Sequence, residues 1–232
     1  MSSMEQYEIA AAVSAEERGK FITRTYLHLA GAVGAFIGLE ALLLRIPGIE
    51  NLVGAMIGSK TSWLIVLGVF MFVSWIADKW AFSATSLATQ YLGLALYVVA
   101  EAVIFVPILF IAQTFYPEVI PQAATATIAL FCMLTVSVMV TRFDFSFLRT
   151  ALVFGGLAAL GFIVASIVLN FDLGPIFTYL MIGFACLYIL YDTSNVLRHY
   201  NTNQHVGAAL ALFASVALLF WYILSLYLDR DG

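Results

Sequence analysis

The sequence predicts an all-α membrane protein with seven transmembrane helices, on three observations. Of its 232 residues, 63% are hydrophobic and 10% are charged, whereas a soluble domain carries about 25% charged residues. One soluble core of this size cannot hide that much apolar surface, so lipid must solvate most of the chain. Seven runs approach the roughly 20 apolar residues that cross a bilayer as a helix. They are continuous rather than alternating, which argues against a β-barrel.

In chain order, the first 20 residues, "MSSMEQYEIAAAVSAEERGK", are polar and form a predicted tail outside the membrane, 1–20, ahead of a single helical domain, 21–232. The first span, about Tyr26–Leu44, is too long for the core of a cleavable signal. The second, about Trp63–Ala77, is short and can continue through Asp78-Lys79-Trp80. The third, about Leu87–Ile111, contains Pro107, which frees a backbone carbonyl and favours a kink. The fourth is about Ala123–Val140 and the fifth about Leu148–Leu169. The sixth starts near Pro175, which suits a first helical turn, and runs to Tyr191 and on past Asp192. The seventh is about Val206–Leu228. The links are short, the longest being "RIPGIENLVGAMIGSK" between the first two spans. No internal repeat supports an inverted-repeat transporter.

Lys and Arg set the orientation. Arg18, Lys20, Arg24, Lys79, Arg142, Arg149 and Arg198 fall on the side of the N-terminus, against Arg45, Lys60 and Arg230 on the other. That bias predicts a cytoplasmic N-terminus. A net charge of −4 without a basic cluster argues against nucleic acid as a partner. Cys132 and Cys186 sit in apolar runs as packing residues. Gly34-x-x-x-Gly38 and the series Gly207, Ala211, Ser215 place small residues four apart, a spacing that lets helices approach closely.

A carboxylate inside a bilayer costs about 2.5–3.5 kcal/mol on insertion scales, so each one marks a candidate site. Glu40, near the outer end of the first span, reads first as an interfacial side chain reaching water. Glu101 lies mid-span, before the Pro107 kink, and suits either an ion path or a carboxyl bonded to a neighbouring helix. Asp192 has the most favourable spacing. Six residues separate it from Arg198, so it lies about 9 Å from that edge at 1.5 Å per residue. Ser215, nine residues into the seventh span, reaches a similar depth on an adjacent antiparallel helix, about 14 Å in. Thr193, Ser194 and Asn195 add oxygen and amide groups nearby. Calcium takes six to eight oxygens. One carboxylate among neutral groups therefore makes a weak metal site at Asp192, suited to passage; the alternative is a structural carboxylate capping the bundle. His28 reads as a packing or hydrogen-bonding residue, and His199 and His205 as solvated flanks of a polar loop.

Enzyme chemistry finds little footing. No His-Glu-x-x-His, Gly-x-Ser-x-Gly or phosphate-binding loop occurs. Tyr191-Asp192 resembles one half of an aspartyl intramembrane protease signature, but no Gly-x-Gly-Asp supplies the other. No cofactor is expected.

"LYILYDTSN" after six spans, with a final apolar helix, resembles the Bax inhibitor-1 (transmembrane Bax inhibitor motif) family. "TRFDFSFLRTALVFGG", Thr141–Gly156, resembles the family's basic loop and its Asp-x-Ser-Phe-Leu entry into the fifth span. The resemblance covers the chain after residue 20. It implies six helices around a central seventh and, in channel-like bacterial members, a pH-sensitive calcium leak. There an aspartate on the sixth helix pairs with one on the seventh, and an arginine at the end of the second locks the closed state. Asp192 matches the first aspartate, Ser215 replaces the second, and Lys79 is the nearest candidate for the base. An Asp-Ser pair lacks the repulsion between two carboxylates that sets a shared titration. "DTSN" with Ser215 is closer to a bacterial branch that binds and restrains an FtsH-type membrane protease by way of its N-terminal tail. The expectations are thus a calcium or proton-linked cation leak in a bacterial inner membrane and, as the alternative, a protease modulator.

Overall fold

The computed structural model describes residues 8–84 and 86–231, which form eight helices. Seven are long and apolar enough to cross a membrane: α1 Ala15–Leu43, α3 Lys60–Ala81, α4 Leu87–Phe115, α5 Val119–Thr141, α6 Leu148–Leu169, α7 Gly174–Arg198 and α8 His205–Asp231. Serine caps explain three of the starts. The hydroxyls of Ser14, Ser59 and Ser86 accept from the amides of Glu17, Ser62 and Thr89 at 3.2, 3.0 and 3.1 Å, each satisfying an amide that lacks a helical partner. Arg142 and Asn170 end α5 and α6 in the left-handed conformation, at φ 51° and 58°. The α5–α6 and α6–α7 links are then folded by aspartates. Asp144 Oδ1 accepts from the Ser146 amide, and Asp172 Oδ1 from that of Gly174, both at 2.9 Å.

The remaining helix, α2, Ile49–Ile57, was expected to be part of a link. Its nine residues rise about 14 Å, too little to span a bilayer. Ile49, Val53 and Met56 recur at helical spacing and are buried, and the first two join Val106 of α4 in a small cluster of their own. The chain before α1 also differs from a free tail. Residues 15–20 are already helical. Ahead of them, Ala10 is buried and donates to the Tyr200 carbonyl at 2.9 Å, while Ile9 pairs with Asn201. Residues 1–7 of the expected tail lie outside the described residues.

Helix α8 is the centre of the bundle. Over its most apolar 18-residue stretch it is 56% buried and α4 is 50% buried, against 22% or less in the other five spans. It packs on α1, α3, α4, α5 and α7, while α6 leans on α7 and α3. Side chains that a soluble protein would hide, such as Phe72, Val140, Phe154 and Leu180, are exposed around the outside and meet lipid.

The close approaches fall where the small-residue spacing did not point in full. A Cβ on Gly34 or Gly38 would meet nothing within 4 Å, and both residues are exposed, so that pair faces outward. The tight contact lies at Gly93 of α4. A Cβ there would stand 2.4 Å from the Ala81 nitrogen and 2.5 Å from the Ala77 carbonyl oxygen of α3. Gly155 of α6, against the Phe184 ring at 2.6 Å, and Gly207 of α8, against the Phe82 ring at 2.7 Å, meet side chains instead.

Candidate functional site

Asp192 and Ser215 meet. Helix α7 carries Asp192 two turns before its end at Arg198, and α8 returns alongside from His205. Ser215 Oγ donates to Asp192 Oδ2 at 2.5 Å, and the two residues are 6% and 3% exposed. A charge-assisted hydrogen bond is short and stronger than a neutral one, and here it satisfies a carboxylate oxygen that lipid cannot. Tyr97, Tyr188 and Tyr200 stand within electrostatic range of the carboxylate.

Ser215 also lines a cavity of about 970 Å³ bounded by α3, α4, α6, α7 and α8. This space separates α6 from the central helix. Glu101, buried on α4 with Tyr97 one turn earlier, is on its wall. Asp172 and Asp229 are among the residues at its other end, beyond Ser225. From Ser215 to Asp229 is 14 residues of α8, about 21 Å. Asp192–Ser215 therefore lies at the inner end of a cavity that runs toward the C-terminal side of the bundle and carries acidic groups along its length.

The other expected residues divide. Thr193 and Ser194 are fully buried and Asn195 is 7% exposed, but none of the three bonds to Asp192. The Asn195 carbonyl accepts from the amides of His199 and Tyr200 at 2.8 and 3.0 Å, closing the end of α7. The Thr193 hydroxyl lies beside Tyr26, which also neighbours Thr135, with none of the three hydroxyls in direct hydrogen-bond geometry. Lys79 stands apart: its ammonium is exposed and lies 3.9 Å from the centre of the Trp75 ring. Glu40 does not reach water. It is 5% exposed, and both its carboxyl oxygens are buried without a partner, because it shares the face of α1 that carries Phe36 into the core. His28 bonds the Arg24 carbonyl and the Tyr91 hydroxyl at 2.6 and 2.8 Å and packs against His205. His205 is itself buried rather than solvated. Among the described residues, no three His, Cys, Asp or Glu side chains converge to hold a metal ion.

A family model described as "Inhibitor of apoptosis-promoting Bax1" matches residues 18–232. The chain belongs to the Bax inhibitor-1 family. Protein LIFEGUARD 4 of Arabidopsis thaliana is 32% identical over 117 residues, which span about half of that protein and of this one, 47% of each. This Bax inhibitor-1 family member is thus a multi-pass integral membrane protein.

Asp144 is the site residue that sequence reading left without a role. Oδ1 accepts from the Ser146 amide and from Ser194 Oγ, at 2.9 and 3.4 Å, and His199 Nε2 lies 3.2 Å from both carboxylate oxygens. Ser194 Oγ in turn accepts from the Phe145 amide at 3.0 Å. The α5–α6 loop is thereby tied to the turn of α7 that carries Asp192. The Ser146 amide chiefly, with the His199 contact added, brings the Asp144 carboxyl down to about 2. Its folded value lies below the ordinary value near 4, so the tie contributes fully above about pH 4 and is lost as pH falls through about 2. Asp144→Asn is expected to free the loop at neutral pH. Amide shifts of residues 143–148, followed by NMR in micelles, should then match those wild type adopts only near pH 2. Unchanged shifts at pH 7 would remove the tie from the account.

Proposed function

We propose that this Bax inhibitor-1 family member is a cation leak pathway, for calcium or a proton-linked cation, with its N-terminus in the cytoplasm of a bacterial inner membrane. The observation that carries this reading is the acidic cavity ending at the Asp192–Ser215 hydrogen bond. Asp172 and Asp229 at the mouth raise the local concentration of cations, as clefts lined by one sign of charge do. Glu101 offers a carboxylate part-way in. Asp192 stands at the inner end, about 9 Å short of the opposite face at the end of α7. The ion exchanges water for the carboxylate and neighbouring hydroxyls there, and too few oxygens gather to hold it. Opening requires Ser215 to release Asp192. The charge bias of the links supports the orientation, and the likeness of "DTSN" to bacterial members supports the membrane.

Flux of calcium into liposomes, wild type against Asp192→Asn, tests the reading. Asparagine keeps the volume and a partner for Ser215 but removes the charge. A loss of at least tenfold in flux with unchanged melting is expected. A wild type that passes no ion at any pH from 5 to 8 would sink the proposal.

The second reading, modulation of an FtsH-type membrane protease, is favoured by one residue, Ser215, which stands where the channel-like pattern has a carboxylate. Co-purification of the full chain with the protease, repeated without residues 1–7, tests it. Equal recovery with and without those residues would remove residues 1–7 of the tail from that reading.

A further inference from the structure

Three arginines end three different helices on the N-terminal side of the bundle. Arg18 lies in the first turn of α1, Arg142 caps α5 and Arg198 closes α7. All three line one pocket of about 450 Å³, whose remaining wall includes Ile22, Met139 and Leu197. Among the described residues, none of the three forms an ion pair. Nearby bridges join Lys20 to Glu16 and His199 to Asp144. Asp144, two residues beyond Arg142, is thus already engaged.

Local structure accounts for only part of this arrangement. One guanidinium nitrogen of Arg198 donates to the Arg142 carbonyl, which suits a cation at a helix C-terminus. A guanidinium has five N–H donors, so most remain. Arg142 reaches the pocket from a left-handed backbone, φ 51°, that costs a non-glycine residue energy. Three like charges around one space repel unless an anion joins them. The wall chemistry limits the choice of anion. A free phosphate has no use for Ile22, Met139 and Leu197. The pocket also lies beside Val140 and Phe143, both exposed on the lipid-facing surface, at the ends of spanning helices where headgroup phosphates lie.

We propose that Arg18, Arg142 and Arg198 bind the headgroup phosphate of an anionic phospholipid from the leaflet on the N-terminal side, with the acyl chains running past Met139 and Phe143. The lipid bridges α1, α5 and α7 at the end of the helix that carries Asp192.

The full chain in a non-ionic detergent, titrated with dioctanoyl phosphatidylglycerol and followed by thermal unfolding, tests this. A saturable rise in melting temperature is expected with this lipid, and none with dioctanoyl phosphatidylcholine or inorganic phosphate at equal concentration. Arg18→Gln with Arg142→Gln should weaken the apparent affinity about 25-fold, roughly fivefold for each arginine, while Lys20→Gln, outside the pocket, should not. If the double variant fails to fold, Arg18→Gln alone carries the test at fivefold, since its guanidinium holds no structural bond. An equal response to phosphatidylcholine, or a double variant that responds as wild type, overturns the site. An equal response to inorganic phosphate overturns the lipid as its occupant.

Discussion

Gly93→Ala is expected to melt well below wild type, by about 3 kcal/mol or more, at the upper end of what overpacking costs. The contact is with backbone, so no rotamer change relieves it. The new methyl would overlap the Ala81 nitrogen, the Ala77 oxygen and the Trp80 carbonyl carbon, all within 2.9 Å. Ala77 and Ala81 are fully buried on the face of α3 that meets α4. To admit the methyl, α3 must move away from α4, which widens the inner end of the cavity that Tyr97 and Glu101 line. In the leak reading, stability and flux should therefore change together. Gly183→Ala is the control. Its Cβ would meet nothing within 4 Å, and alanine is worth about 0.5–1 kcal/mol over glycine in a helix interior. Melting curves of both variants in one detergent decide the matter. A Gly93→Ala protein that melts with wild type would show that α3 and α4 are not held at this distance.

The spans were legible because lipid imposes continuous apolar runs, and α6 begins and ends where its run does. The Asp192–Ser215 pairing was legible by a different route. Both residues lie a countable rise from one short link, about 9 and 14 Å in, so a similar depth followed from helix geometry. Direction was not legible in the same way. Gly34 and Gly38 have the spacing of a packing face, but only the assembled bundle shows that this face looks out to lipid. Glu40 has the opposite history, turned inward by the register of Phe36 and Leu29 on α1. Gly93 carries no pattern at all, since a lone glycine among apolar residues announces neither its neighbour nor its distance. Asp144 showed only as part of the Asp-x-Ser-Phe-Leu stretch, without a role, because its partners, Ser194 and His199, are about 50 positions away. The cavity mouth was hidden for that reason too, with Asp172 and Asp229 contributed by separate elements.

Two substitutions at Ser215 separate its structural part from its part in gating. Ser215→Ala is expected to cost about 1–3 kcal/mol, because the buried Asp192 Oδ2 then loses its donor. The same change removes the closed-state latch, so in the leak reading flux rises while melting temperature falls. A purely structural Asp192 predicts only the fall. Ser215→Asp acts differently. Two carboxylates at hydrogen-bond distance cannot both be charged without strong repulsion, so the contact survives only with a proton shared between them. The closed arrangement then depends on pH, and flux should gain a pH-dependent step that wild type, with its hydroxyl donor, lacks. Liposome flux from pH 5 to 8 for wild type, Ser215→Ala and Ser215→Asp reads out both effects. If the aspartate variant shows no step, residue 215 does not latch Asp192 in the conducting cycle, whatever bond joins the two at rest.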